Sequence, residues 1–202
     1  LIEGRTAETA EGAVAAADEM GYPVAMKLVS REIVHKSDAG GVVLDLESGV
    51  EVAEAFDAMR ARLAADGKEQ HMDGVLLQPM LREGVELMAG MTEDPVFGPL
   101  VAFGLGGIHV EVLGDVVFRV APLTDKDVSE MVHGIRGQRL LAGYRGHPPA
   151  DLPGIQDVLL RVSALSQDVP EIDDLDLNPL FALEPGRGCR IVDARIHVRS
   201  PY

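Results

Sequence analysis

Asp173-Asp174-Leu175-Asp176-Leu177-Asn178-Pro179-Leu180-Phe181, a break at Glu184-Pro185-Gly186-Arg187-Gly188, and then Arg190-Ile191-Val192-Asp193-Ala194-Arg195-Ile196 form the stretch on which the reading of this chain turns. Side chains alternate across a strand, so Asp174, Asp176 and Asn178 share one face while Leu175, Leu177 and Leu180 are left to face a core. A Pro/Gly connection followed by a second β-rich run predicts an antiparallel return strand that brings Asp193 opposite the polar row. Carboxylate and amide oxygens in that arrangement make a hard-oxygen site. It suits Mg²⁺, which takes one or two protein oxygens, several waters and the phosphates of a nucleotide. The plainer reading of the same residues is a solvated acidic strand with a turn asparagine before proline.

The rest of the composition narrows the partners. With 202 residues, 47% of them hydrophobic, the chain can bury a core as one domain or two small lobes. Its 33 acidic residues against 18 basic ones give a net charge of −15, which argues against nucleic acid and anionic membrane surfaces. The single cysteine, Cys189, excludes an internal disulfide framework and a cysteine-based zinc cage, and fits a reducing cytoplasm; a small buried apolar role is expected for it. Neither a membrane span of about 18 apolar residues nor a secretory signal is visible. The opening Leu1-Ile2-Glu3-Gly4-Arg5 is abrupt, as if an upstream segment were missing.

Along the chain, Ala10, Val14, Ala17 and Met20 stand at helical spacing within a predicted helix over 7–20, started by Thr6 or Thr9 and stopped by Gly21. Tyr22 to Val29 then reads as a buried strand with Lys27 in its middle. A desolvated cation needs an anionic partner, either a phosphate or an internal carboxylate. The segment Ile33-Val34-His35-Lys36-Ser37-Asp38-Ala39-Gly40-Gly41-Val42 joins His, Lys and Ser to a glycine pair before a strand over 42–46. By composition this is a phosphate-cradling loop, or else only a turn. Ser48 and Glu51 form a capping box for a helix to about Ala65 with Val52, Ala55, Phe56, Met59 and Leu63 on its core face. Strands are predicted over 74–80, ending in Gln78-Pro79-Met80, over 84–91 and over 97–103.

Glu86 in the second of these strands reads as an acceptor for a ribose or cation, or as a carboxylate on a wet strand face. A second glycine-rich run, Gly104-Leu105-Gly106-Gly107, precedes a strand over 115–122. There Arg119 repeats the Lys27 problem, and a guanidinium at that point would clamp phosphate oxygens. Thr124 caps a short helix to about His133, residues 136–153 read as loop, and a helix over 155–167 leads into the acidic hairpin. His71, His133, His147 and His197 are expected at the surface or in loops.

Together these blocks resemble the ATP-grasp domain of the NDP-forming acyl-CoA synthetases, the group that includes ADP-forming acetate–CoA ligase. The resemblance runs through Gly21-Tyr22-Pro23-Val24-Ala25-Met26-Lys27, His35-Lys36-Ser37-Asp38-Ala39-Gly40-Gly41-Val42, Asp94-Pro95-Val96-Phe97-Gly98-Pro99, Phe103-Gly104-Leu105-Gly106-Gly107, Phe118-Arg119-Val120-Ala121-Pro122-Leu123, Leu175-Asp176-Leu177-Asn178-Pro179-Leu180 and Val192-Asp193-Ala194-Arg195-Ile196. It implies an α+β ATP-grasp fold whose two α/β lobes clamp a nucleotide. The first lobe would be 1–77, lacking its N-terminal part, and the second 78–202, with the metal hairpin. It further implies ATP phosphates on Lys27, Lys36 and Ser37, adenine along Gln78 and Met80, and Glu86 beside the ribose or triphosphate. Mg²⁺ would sit on Asn178 and Asp193 with Asp176 nearby, and His35 would be a phosphate carrier assisted by Arg119.

The function so implied is the nucleotide half of an ADP-forming acid–CoA ligase, with ATP or ADP and Mg²⁺ as cofactors. Nothing in the chain resembles a CoA-binding domain, so a CoA-binding domain or α subunit is the implied partner. Two rivals share the clamp. One is a regulatory ATP-grasp domain fused to a Gcn5-related protein-lysine acetyltransferase, and the other is an ATP-dependent carboxylate–amine ligase, which has no need of His35.

Overall fold

A computed structural model describes residues 1–33, 40–107, 114–144, 146 and 148–199. The chain divides into two compact units, Ile2–Arg82 and Glu83–Tyr202, the latter joined by Leu1. No described helix is long and apolar enough to cross a membrane.

The first unit is a four-stranded antiparallel sheet in the order β1 (Arg5–Ala7), β4 (Gly74–Pro79), β2 (Val24–Val29), β3 (Val42–Leu46), backed by helices α1 (Ala10–Met20) and α2 (Gly49–Ala65). Thr9 starts α1 by accepting the Gly12 N–H at 3.1 Å, and Gly21, at φ 81°, ends it. Residues 7–9 are therefore not helical: Ala7 pairs with Val75 in the sheet. Ser48 caps α2 through the Glu51 N–H, but the Glu51 carboxylate reaches back to the N–H of Glu47 rather than of Ser48. Val52, Phe56, Met59 and Leu63 from α2 and Ala13 and Ala17 from α1 close over Val24, Met26, Leu28, Val75 and Leu77. Truncating a buried aromatic such as Phe56 in this core would cost roughly 3–5 kcal/mol.

The division between units falls after Arg82, beyond the boundary expected at Leu77. Gln78 and Pro79 remain in register with Ala25 and Val24, and the Met80 N–H donates to the Pro23 carbonyl at 3.0 Å. All of β4 thus belongs to the first unit.

The second unit is an antiparallel sheet in the order β10 (Ala194–Val198), β8 (Ile172–Ala182), β5 (Val85–Asp94), β6 (Gly98–Leu105), β7 (Val116–Val120), with β9 (Cys189–Ile191) also on β8. Helices α3 (Asp125–Gly134), α4 (Gln138–Leu141) and α5 (Leu152–Asp168) complete it. The stretch read as loop over 136–153 instead contains α4 and the cap of α5. Pro153 sits in the first turn of α5, where its missing N–H costs nothing, and Asp151 is the N-cap. Leu87, Ala89, Met91, Val101, Phe103, Leu105, Leu175, Leu177 and Leu180 form one sheet face and bury against Met131, Ile155, Leu159 and Val162 of the helices. The α+β class expected from the sequence is the one observed.

Candidate nucleotide and metal site

The polar row lies on the other face of the second sheet. Asp176 pairs with Gly90 and with Arg195, and Asp174 with Thr92 and His197, so β5, β8 and β10 present these side chains on the side away from the buried leucines. Strand alternation alone would not bury both Leu177 and Leu180. A bulge reconciles them: Leu87 pairs with Leu180 and Ala89 with Leu177, leaving Asn178 and Pro179 opposite Met88. The return strand forms as expected. Ile191 pairs with Leu180, Ala194 with Leu177, and the Val192 N–H donates to the Pro179 carbonyl at 3.0 Å, a register that sets Asp193 across from Asn178.

Burial holds the Asp176 carboxyl above the usual carboxylate range; Arg195 opposes that shift, while Asp174 and Asp193 add to it. A cation placed here would relieve the repulsion among these three acids. Among the described residues no group of three or more His, Cys, Asp or Glu side chains could hold a metal by itself. The donors present are two carboxylates, Asp176 and Asp193, and the Asn178 amide oxygen. That set fits a partly hydrated Mg²⁺ completed by phosphate oxygens better than it fits an all-protein cage.

Glu86 shares this face. Its pairing partner is Phe181, and its neighbours Val85 and Leu87 belong to the core side. The second glycine run lies against it: the Gly106 N–H donates to the Glu86 carbonyl at 2.8 Å, and a Cβ on Gly107 would stand 2.9 Å from Glu86 Oε2. Arg119 pairs with Val101, on the helix-covered side, whereas Phe118 pairs with Ala102 and belongs to the face of Asp176. Its guanidinium lies 3.6 Å from Glu130 of α3 and donates to the Phe118 carbonyl. The guanidinium is exposed rather than buried, and its partner is a carboxylate on a helix.

In the first unit, Lys27 pairs with Leu76 and Ala25 with Gln78. Lys27 and Gln78 therefore share the sheet face away from α1 and α2, with Lys27 half-buried and Gln78 only 3% exposed. Met80 follows β4 directly. His35, Lys36 and Ser37 lie outside the described residues, as do His109 and His147. Of the remaining histidines, His71 pairs with Glu32 at 2.9 Å, His133 bonds the Ser129 carbonyl in its own helix, and His197 is exposed on β10.

Two buried carboxylates escaped the sequence reading. Asp115, 5% exposed, accepts the N–H groups of Arg136 and Gly137, each at 2.7 Å. Asp151, 6% exposed, accepts the Gly154 N–H at 3.1 Å, Gly186 at 2.9 Å and Gly188 at 2.8 Å. These bonds hold its carboxyl below the usual range. An aspartate two residues before a proline at a helix start was the available signal. Cys189 is half-buried, and burial together with Asp151 and Asp157 pushes its thiol up to about 11, which disfavours the reactive thiolate.

An ATP-grasp domain model matches residues 1–198, and the chain belongs to that family. Within it, the chain is 45% identical over 199 residues to the β subunit of ADP-forming acetate–CoA ligase II of Pyrococcus furiosus, covering 98% of this chain and 84% of that one. It is 44% identical over 196 residues to the ADP-forming 4-hydroxybutyrate–CoA ligase of Nitrosopumilus maritimus, covering 97% of this chain but 28% of that protein. Among solved structures, the dinucleotide-forming acetyl-coenzyme A synthetase 1 of Candidatus Korarchaeum cryptofilum, in complex with coenzyme A, Ca-AMPCP and HgCl⁺, superposes with a TM-score of 0.90 at 41% identity, covering 98% of this chain and 86% of that one. The chain thus spans most of a separate β subunit and about a quarter of a single-chain ligase.

Proposed function

We propose that this chain is the nucleotide-binding, phosphoryl-transfer half of an ADP-forming acid–CoA ligase, which interconverts acyl-CoA, ADP and phosphate with acid, CoA and ATP. The observation that carries the reading is the register of β8 against β9 and β10, which sets Asp193 across from Asn178 beside Asp176 on the sheet face away from the buried leucines. The ligase and synthetase relatives point the same way, and favour this reading over a regulatory domain fused to an acetyltransferase. A CoA-binding domain or α subunit is the implied partner, and a reducing cytoplasm the implied setting.

Lys27 binds nucleotide phosphate by charge, Gln78 and Met80 lie along the base, and Glu86 accepts from the ribose or orients the triphosphate. Lys36 and Ser37 add a cation and a hydroxyl donor to the phosphate site. Asn178, Asp193 and Asp176 hold Mg²⁺, which when bound neutralises phosphate charge. His35 acts as nucleophile: a ring nitrogen bonds to the γ-phosphorus as the bond from that phosphorus to the bridging oxygen breaks, and ADP leaves with the electron pair. Running in reverse, the same step makes ATP from phosphohistidine and ADP. Positioning and charge neutralisation are the main demands of such a transfer. Arg119 pairs with Glu130 on the other sheet face, which favours a transfer that does not use it.

The test is phosphohistidine chemistry. With γ-labelled ATP and Mg²⁺, acid-labile and base-stable label should appear on the protein and vanish in His35→Ala. Label that survives the substitution removes the carrier role, and complete absence of label from the wild type favours the regulatory rival. Lys27→Ala should lose the thermal protection that ATP with Mg²⁺ gives the wild type.

A further inference from the structure

The metal hairpin depends on a register, and that register is set by a turn held from outside the hairpin. A slip of one residue between β8 and β9 would move Asp193 off Asn178 and reverse the faces of β9 and β10. The connection at Glu184–Gly188 has two glycines in the left-handed region, Gly186 at φ 82° and Gly188 at φ 70°, a conformation with many alternatives in a free chain. Here one oxygen of Asp151 accepts both their N–H groups while the other oxygen caps α5 through Gly154. The Asp151 N–H donates to the Leu183 carbonyl at 2.8 Å, and the Leu183 N–H donates to the Gly188 carbonyl at 3.0 Å. Gly154 permits the approach, since a Cβ there would come within 2.9 Å of Gly188 Cα.

We propose that Asp151 is a positioning residue for the metal site: by fixing the 184–188 turn to the start of α5 it holds Asp193 in register with Asn178. This rests on the metal role assigned above to that pair. Asp151 touches neither nucleotide nor metal. It acts through the turn, and it contributes to metal binding as supporting residues behind metal ligands commonly do.

The experiment is a Mg²⁺ titration of the thermal protection given by a non-hydrolysable ATP analogue, on the wild-type chain, Asp151→Ala and Asp151→Asn. Asparagine can satisfy the Gly154 N–H or the two turn N–H groups but not both, so it perturbs the turn more gently should the alanine variant fail to fold. The Mg²⁺ concentration for half-maximal protection should rise about tenfold or more in Asp151→Ala and less in Asp151→Asn. Saturating Mg²⁺ should restore full protection in both. A lower melting temperature with an unchanged Mg²⁺ midpoint makes Asp151 a fold residue only and overturns the inference. A wild type whose protection ignores Mg²⁺ overturns the metal assignment itself, and the inference with it.

Discussion

Asn178 and Asp193 stand across from one another in one register, flanked by the Leu180–Ile191 pair on one side and the Leu177–Ala194 pair on the other. The bulge at Asn178 and Pro179 opposite Met88 interrupts the alternation of β8 at the same point. If this pair holds the metal, Asn178→Ala and Asp193→Ala should each raise the Mg²⁺ concentration needed for nucleotide protection by about tenfold or more, the loss of a charge-assisted contact. Asp174→Ala, on the same face but paired with Thr92 and His197, should change it by no more than about twofold. Equal effects at Asp174 and Asp193 would mean that the face acts through its general negative charge rather than through a defined site.

Arg119 supplies a contrasting expectation. Its ion pair with Glu130 leaves both side chains nearly half exposed, at 43% and 49%, so Arg119→Ala and Glu130→Ala should each cost no more than about 1 kcal/mol in urea unfolding. Histidine labelling from ATP should stay close to wild type in both. A collapse of labelling in Arg119→Ala alone would return the guanidinium to the phosphate role that its strand neighbours suggest.

The sequence carried the acidic hairpin because its evidence is local: alternating Asp and Leu, a Pro/Gly break, then a second β-rich run. Face assignment within a strand was equally legible. What a strand cannot announce is which of its faces a helix will approach, so the Glu130 carboxylate that reaches the exposed Arg119 is not visible in its neighbours. The Asp151 bonds to Gly186 and Gly188 span 35 and 37 positions, far beyond any capping pattern, so only the N-cap half of its work is visible in Asp151-Leu152-Pro153. The unit boundary moved from Leu77 to Arg82 for a similar reason. Pro79 looked like a strand end, yet proline carries no N–H to lose, and its neighbour Gln78 stays paired with Ala25.

Asp151 also predicts how stability follows pH. Its folded carboxyl is held below the unfolded value of about 3.9, chiefly by the Gly188 and Gly154 N–H groups. A depressed carboxylate contributes stability that is complete above the unfolded value and is lost as pH falls through the folded one. The gap in unfolding free energy between wild type and Asp151→Asn should therefore be about 1.5–3 kcal/mol near neutrality and shrink below about pH 4. A gap that stays constant to pH 3 would show that shape rather than charge holds the turn.

Gly40 and Arg62 form a coupled pair in the first unit. The Arg62 guanidinium, on the last turn of α2, donates to the Gly40 carbonyl at 2.9 Å, while the Gly41 carbonyl accepts the Leu28 N–H at 2.7 Å, so the chain is fixed from both sides as it enters β3. Gly40 has φ 63°, and a Cβ there would stand 1.9 Å from Arg62 Nη1. Gly40→Ala thus does two things: it imposes left-handed strain of roughly 1–2 kcal/mol, and it drives off the tip of a flexible side chain, forfeiting a bond worth about 0.5–1.5 kcal/mol. In an Arg62→Ala background the second cost is already spent, so the same glycine substitution should cost only the strain. Urea unfolding of the two single variants and the double variant measures this directly, and the expected coupling is about 1 kcal/mol, with the double variant more stable than the sum of the singles allows. Strict additivity would mean that Arg62 does not hold the Gly40 carbonyl in solution, and that the start of β3 is set by the Leu28 bond and the conformation of Gly40 alone.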